Sequence, residues 1–286
     1  MTVVKSDLIN FDFDKDKCFI CGKKSQTREH TVPKWLQTKF NLWDEKIEIP
    51  NLTHTTYKKL VVPCCKKCNN EVYSKLEIKI STKNCTEKDI WMWANKIHAA
   101  LRYKDYFYEF DRKNPGLKII NMFGSNDYLQ KSRNFLHCLT GNYTTYPDPF
   151  GSVFVFELEE ESKFNLIHII QTSSIYICTG DRIYIIFIRD GQTLKDDLNI
   201  MESYNTIKED SSNLIAGTLF FYAQCINYYE RYTYSIPLMQ TPNSIVKLGR
   251  ATLRNEKPED KESLRNICKR FGVTWIDKDE VPKNYS

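Results

Sequence analysis

The spacing of apolar positions divides the chain into a short mixed segment, a long helix and a β-rich remainder. Val72, Leu76 and Ile80 recur at i, i+4 and i+8, and Glu71 stands four residues before Lys75. That spacing predicts a helix over residues 70–80, with Asn69 and Asn70 supplying cap chemistry at its start. Lys58-Lys59-Leu60-Val61-Val62-Pro63 predicts a short strand just upstream, whereas 41–56 carries no periodicity and is expected to be a loop. Residues 1–13 are read as an entry segment. Thr86-Glu87-Lys88-Asp89 has capping-box spacing, and Ile90, Ala94, Ile97 and Leu101 follow along one helical face.

Beyond about residue 105 the period changes. Val153–Phe156, Leu166–Ile170, Ile175–Cys178 and Ile183–Ile188 are short β-rich runs, bounded by Thr179-Gly180-Asp181 and Asp190-Gly191. A helix is expected near residues 213–229. Another opens at Pro258, carries Leu264, Ile267, Cys268 and Phe271, and stops at Gly272. The expected fold class is α+β: a small unit over residues 14–82, then a joining helix and an α+β domain with a mostly antiparallel sheet over 83–286.

Composition narrows the class. In 286 residues, ten prolines and ten glycines are too few for a collagen-like or low-complexity chain. No apolar run reaches the roughly 18 residues needed to span a bilayer, so no membrane partner is expected. The N-terminal MTVVKSDLINFDFDKDK has acidic residues where a signal peptide is apolar, and a cytoplasmic location is expected. The net charge of +5 is unevenly placed: residues 1–80 hold 15 Lys and Arg against 10 Asp and Glu, and the remainder balances. A polyanionic partner would be drawn to the first quarter.

Five of the ten cysteines (Cys18, Cys21, Cys64, Cys65, Cys68) lie in that same quarter. The other five, Cys178 among them, sit singly in the chain and read as small buried hydrophobes. Cys18-Phe19-Ile20-Cys21 and Cys65-Lys66-Lys67-Cys68 have the C-x2-C spacing of a structural zinc site, in which two such turns close a tetrahedral S4 shell. Cys65 is the preferred ligand, because a Cys64/Cys68 pair has the wrong spacing; Cys64 is expected to pack beside the site. Lys23, Lys24, Lys66 and Lys67 supply cations near the thiolates.

Between the knuckles stands Arg28-Glu29-His30-Thr31-Val32-Pro33, and Asn69 follows the last cysteine directly. In order and spacing, residues 14–80 resemble the HNH endonucleases, the zinc-stabilised branch of the ββα-metal nucleases. The resemblance implies a metal-dependent endonuclease hydrolysing phosphodiester bonds in DNA, with RNA left open as a substrate and restriction of foreign DNA as a setting. It implies His30 as the base that activates water, and Glu29 and Asn69 as oxygen ligands of a catalytic Mg2+ or Mn2+. The structural zinc would hold the loop bearing Asn69 against the strand bearing His30. The middle Asn of the family pattern has two candidates, Asn51 and His54, and neither is assigned. Lys34, Lys39, Lys58, Lys59, Lys66 and Lys67 are candidate phosphate contacts, whereas Trp35, Leu36 and Phe40 sit at helical spacing and are expected to pack. The rival reading is a zinc-knuckle nucleic-acid-binding module without catalysis. Residues 105–286 carry no chemical motif. Tyr228, Tyr229, Tyr232 and Tyr234 are expected to pack, and target selection, ligand sensing and homodimerisation all stay open for this region.

Overall fold

The computed structural model describes residues 13–111, 113–122, 126–140, 143–209, 213–231 and 260–274, with four three-residue strands between 233 and 254. Residues 1–12, Tyr232 and Pro258 lie outside the described residues.

Strand β1 (Thr27–His30) pairs antiparallel with β4 (Val61–Cys64), in a register that sets Glu29 opposite Val62 and His30 opposite Val61. Pro63 sits in this two-stranded ribbon, where a missing N–H breaks no inner ladder, and its carbonyl accepts from Phe19 N–H in the first knuckle at 2.9 Å. Helix α1 (Lys34–Lys39) follows β1. It buries Leu36 and packs Trp35 and Phe40 against the core, as their spacing predicts.

Residues 41–56 are not a loop throughout. They contain a hairpin, β2 (Lys46–Glu48) against β3 (His54–Thr56). Its reversal is an Asx turn: Asn51 Oδ1 accepts from Thr53 N–H at 3.1 Å and from the Thr53 hydroxyl at 2.7 Å. Strands of three residues are too short to show alternation, which hid them. The strand expected from Lys58 starts later, because Tyr57–Lys59 form a 3-10 turn.

The helix expected over 70–80 begins as a π-helical turn at Lys67–Tyr73 and continues as α2 (Ser74–Ser81). Asn69 does not cap it. Its amide turns back to β1, which is possible because the knuckle places it against that strand.

Helix α3 (Glu87–Phe107) opens with the predicted capping box: Thr86 Oγ1 accepts from Asp89 N–H, and the Asp89 carboxylate accepts from Thr86 N–H. The one-faced stripe understates its burial. Every residue from Ile90 to Ala100 is buried, Asn95, Lys96 and His98 included. Each of these three has a partner: Asn95 donates to Ser132 O, His98 Nδ1 meets His168 Nε2 at 2.8 Å, and Lys96 meets two carboxylates. Trp91 and Trp93 are fully buried, and truncating either to alanine costs about 3–5 kcal/mol in such a setting.

Helix α3 is central because two layers close on it. After the hairpin of β5 (Glu109–Asp111) and β6 (Asn114–Lys118), helix α4 (Asn126–Phe135) and strand β7 (Tyr143–Thr145), the chain builds an antiparallel sheet. Its strands are β8 (Ser152–Glu157), β9 (Asn165–Ile169), β10 (Ser174–Cys178) and β11 (Arg182–Phe187), in the order β8-β11-β10-β9. These are the four predicted runs. Ile175, Ile177, Tyr184 and Ile186 face the α3 side. Tyr176, Cys178, Ile183 and Ile185 face a second core with Phe221, Tyr222, Leu264 and Ile267. Burial on both faces is why β8, β10 and β11 read as continuous apolar runs, whereas the edge strand β9 is only half-buried.

That second core is closed by α5 (Leu198–Glu209), α6 (Leu214–Arg231) and α7 (Lys261–Arg270). Tyr228 and Tyr229 pack on it. Asp260 caps α7, and Gly272 ends the segment with φ +72°. The first core runs without a break from Cys18, Phe19 and Leu36 through Trp91 and Ile97 to Ile175 and Ile186. Composition changes near residue 82, but the packing does not. Among the described residues no helix is long and apolar enough to cross a membrane.

Candidate active site

The first knuckle is tied by Gly22 N–H to Cys18 O at 2.9 Å and by Cys18 N–H to Lys23 O at 2.7 Å, with Gly22 at φ +75°. In the second, Cys68 N–H points at Cys65 Sγ at 3.4 Å. The sulfurs of Cys18, Cys21, Cys65 and Cys68 all lie within 4.8 Å of one another. Four ligands about 2.3 Å from a tetrahedral zinc stand roughly 3.8 Å apart, so this donor set fits a structural metal such as zinc. Cys64 is also close, its Sγ 3.8 Å from that of Cys18, while its carbonyl accepts from Gln26 N–H and the Thr27 hydroxyl in β1.

Hydrogen bonds from Cys21, Cys64 and Cys68 push the Cys18 thiol far below its ordinary range. Cys21 is pushed up to about 12, first by its bond to Cys18 and then by burial. A dication would displace those shared protons.

Around this clamp the structure distributes the candidate side chains unequally. Asn69, in the π-turn, donates its amide to Thr27 Oγ1 at 3.1 Å and weakly to Arg28 O at 3.5 Å. The residue after the knuckle is therefore tied to the strand that ends in His30. The His30 ring is half-buried, its edge against Trp43 with ring centroids 5.4 Å apart. Burial, then the charges of Lys34 and Lys96, hold its pKa below the ordinary 6.5 against an opposing pull from Glu77. The imidazole is neutral at pH 7.

Glu29 faces the other way, as alternation along a strand requires. Its carboxylate accepts from Lys96 Nζ, which also donates to Glu77 of α2. Lys96 has no exposed surface, and Glu29 is 8% exposed. Burial alone would lower the Lys96 pKa, but the two carboxylates outweigh it and hold the ammonium charged.

This arrangement does not fit Glu29 as an open ligand of a divalent ion. The cation beside it is an ammonium, and Asn69 has only Oδ1 left to offer. Among the described residues the sulfur cluster is the one group of three or more His, Cys, Asp or Glu placed to hold a metal.

The lysines divide as well. Lys39 pairs with Glu161 at 2.5 Å and donates to Thr179 O, and Lys58 pairs with Asp44. Lys34, Lys59, Lys66 and Lys67 are exposed. Asn51 is spent on its own turn and on Glu109 O at 2.9 Å, and His54 is exposed at the start of β3.

Three residues of this site escaped the sequence reading: Gln37, Glu77 and Lys96. Lys96 lies off the apolar stripe of α3 and reads as a solvated position. A hint of its burial is the pair Met92 and Trp93, four and three residues before it on that same off-stripe side.

The chain matches no protein-family model, no curated protein and no solved structure. The HNH resemblance therefore rests on the residues of this segment.

Proposed function

We propose that residues 14–82 form an HNH-type endonuclease unit that hydrolyses phosphodiester bonds in DNA. One observation carries the reading: a sulfur cluster clamps β1, which ends in a neutral His30, to the turn carrying Asn69, and the Asn69 amide is bonded to β1 itself. A neutral imidazole at the end of a rigid strand is a suitable acceptor for the proton of an attacking water. The exposed Lys34, Lys59, Lys66 and Lys67 supply the positive surface a polyanion needs, and the Asn69 side-chain oxygen is free to orient a phosphate or water. Residues 83–286 would then select the target or regulate the cut.

Mg2+ or Mn2+ belongs to the proposal through the resemblance, and Glu29, sequestered by Lys96, offers it no open ligand. That sequestration is the observation favouring the second reading, a nucleic-acid-binding module without catalysis.

The test is plasmid cleavage with Mg2+, Mn2+ or EDTA, with RNA as a parallel substrate. His30→Ala is expected to lower the rate by about 10^2–10^4-fold, with zinc content and DNA affinity retained. Cleavage equal to the parent's removes His30 from the mechanism. Binding without cleavage under every metal condition establishes the second reading.

A further inference from the structure

The His30 ring is held by a group whose own hydrogen-bonding capacity assigns the ring proton. Gln37, in α1, is fully buried. Its Nε2 donates to Val32 O at 2.7 Å and stands 3.2 Å from His30 Nδ1. Its Oε1 is buried with no hydrogen-bond partner. An amide nitrogen has two hydrogens and no lone pair to offer. Reversing the amide would bring Oε1 to the Val32 carbonyl at the shorter of the two distances, setting acceptor against acceptor and leaving a buried backbone oxygen without its donor. Both Nε2 hydrogens are therefore committed, one to Val32 and one to Nδ1. It follows that Nδ1 carries the lone pair, and the neutral ring carries its proton on Nε2.

We propose that Gln37 is the positioning residue of His30: its amide holds the ring in the Nε2–H tautomer, so the site rests with a hydrogen-bond donor at its free ring nitrogen and is armed as a base only when the proton moves to Nδ1. The proposal rests on the reading of His30 as the base. In the arming step Nε2 gives one proton to solvent and Nδ1 takes one from solvent, so the ring is neutral before and after. Gln37 turns its amide to present Oε1, the oxygen now without a partner, to the new Nδ1–H. The turn gives up the bond to Val32 O and sets Oε1 against that carbonyl, so the armed state is the costlier and less populated of two discrete alternatives, reached when the new Nδ1–H bond offsets that loss. In the resting state the Nε2–H is suited to donate to a phosphate oxygen, which lets the site hold DNA before it cuts.

The experiment is a long-range 1H–15N correlation of the His30 ring in the full-length, zinc-loaded chain. The expected parent spectrum has Nδ1 as the lone-pair nitrogen and Nε2 as the protonated one. Gln37→Glu, which as the neutral acid donates its O–H to Val32 O and offers its other oxygen only as an acceptor to Nδ1, is expected to reverse that assignment and raise single-turnover cleavage roughly tenfold or more with DNA affinity unchanged. Gln37→Leu is expected to leave a mixture of tautomers. A parent ring protonated on Nδ1 overturns the proposal without reference to any variant. An unchanged tautomer in folded Gln37→Glu also overturns it. Reversal of the tautomer together with full cleavage by His30→Ala upholds the positioning role and sinks the base assignment instead.

Discussion

Stripping zinc from the cysteine cluster is expected to unfold the segment from Cys18 to Tyr73 and to loosen α3 with it. Bound structural zinc contributes on the order of 10 kcal/mol in small zinc units, comparable to the whole stability of a domain. The segment's own regular elements are short, chiefly a four-residue ribbon, a six-residue α-helix and a three-residue hairpin. Short elements of this kind are marginal without such a staple. The effect should spread, because Cys18, Phe19, Cys65 and Cys68 belong to the same core as Trp91, Trp93 and Ile97. The measurement is metal content together with hydrogen exchange: one zinc per chain, with protection of β1 and β4 lost on chelation and in Cys68→Ser. A full-length protein that holds no zinc and keeps that protection would refute the clamp.

Lys96→Met should destabilise the protein by about 3–5 kcal/mol, the range for breaking a buried ion pair by removing one partner. The side chain fits the space, so the loss is electrostatic. Glu29 and Glu77 are left facing each other without their shared cation, with side-chain exposures of only 10% and 20%. Urea midpoints read the loss. Adding Glu29→Gln and Glu77→Gln to Lys96→Met should recover part of it, because the facing charges are then gone. Glu77→Gln should cost less, since Glu77 is the more exposed partner and Lys96 keeps Glu29. No recovery in the triple variant would mean that lost packing, not charge, explains the result. The variant also bears on function: if freeing Glu29 creates a divalent-ion site, Lys96→Met should gain Mg2+ or Mn2+ affinity.

Much of the fold was legible because the relevant signals are local. A capping box spans four residues, so Thr86 and Asp89 announce α3 directly. The sheet strands read as apolar runs, and Gly180 and Gly191 mark the turns after β10 and β11. The sulfur cluster was legible for a related reason: a C-x2-C turn fixes two sulfurs by backbone geometry alone, and only the meeting of the two turns is tertiary. The short hairpin at Lys46–Thr56 was not legible, because three-residue strands carry no measurable period and their Asx turn is built from a side chain. The π-turn at Lys67–Tyr73 escaped because the knuckle sets its winding, whereas Val72, Leu76 and Ile80 suit an α-helix.

The sequence by itself determined which residue types could do chemistry here: four thiols in two turns, an imidazole beside a carboxylate, and an amide after the last cysteine. Tertiary structure decided what each of them is attached to. Lys96 reaches Glu29 across 67 residues, and a bond between positions so far apart leaves no periodic trace in the chain. Gln37 lies only seven residues from His30, yet the bend after β1 is what turns its amide onto the ring. A side chain's charge and protonation depend on the neighbours that burial forces on it, and those neighbours exist only once the core has closed.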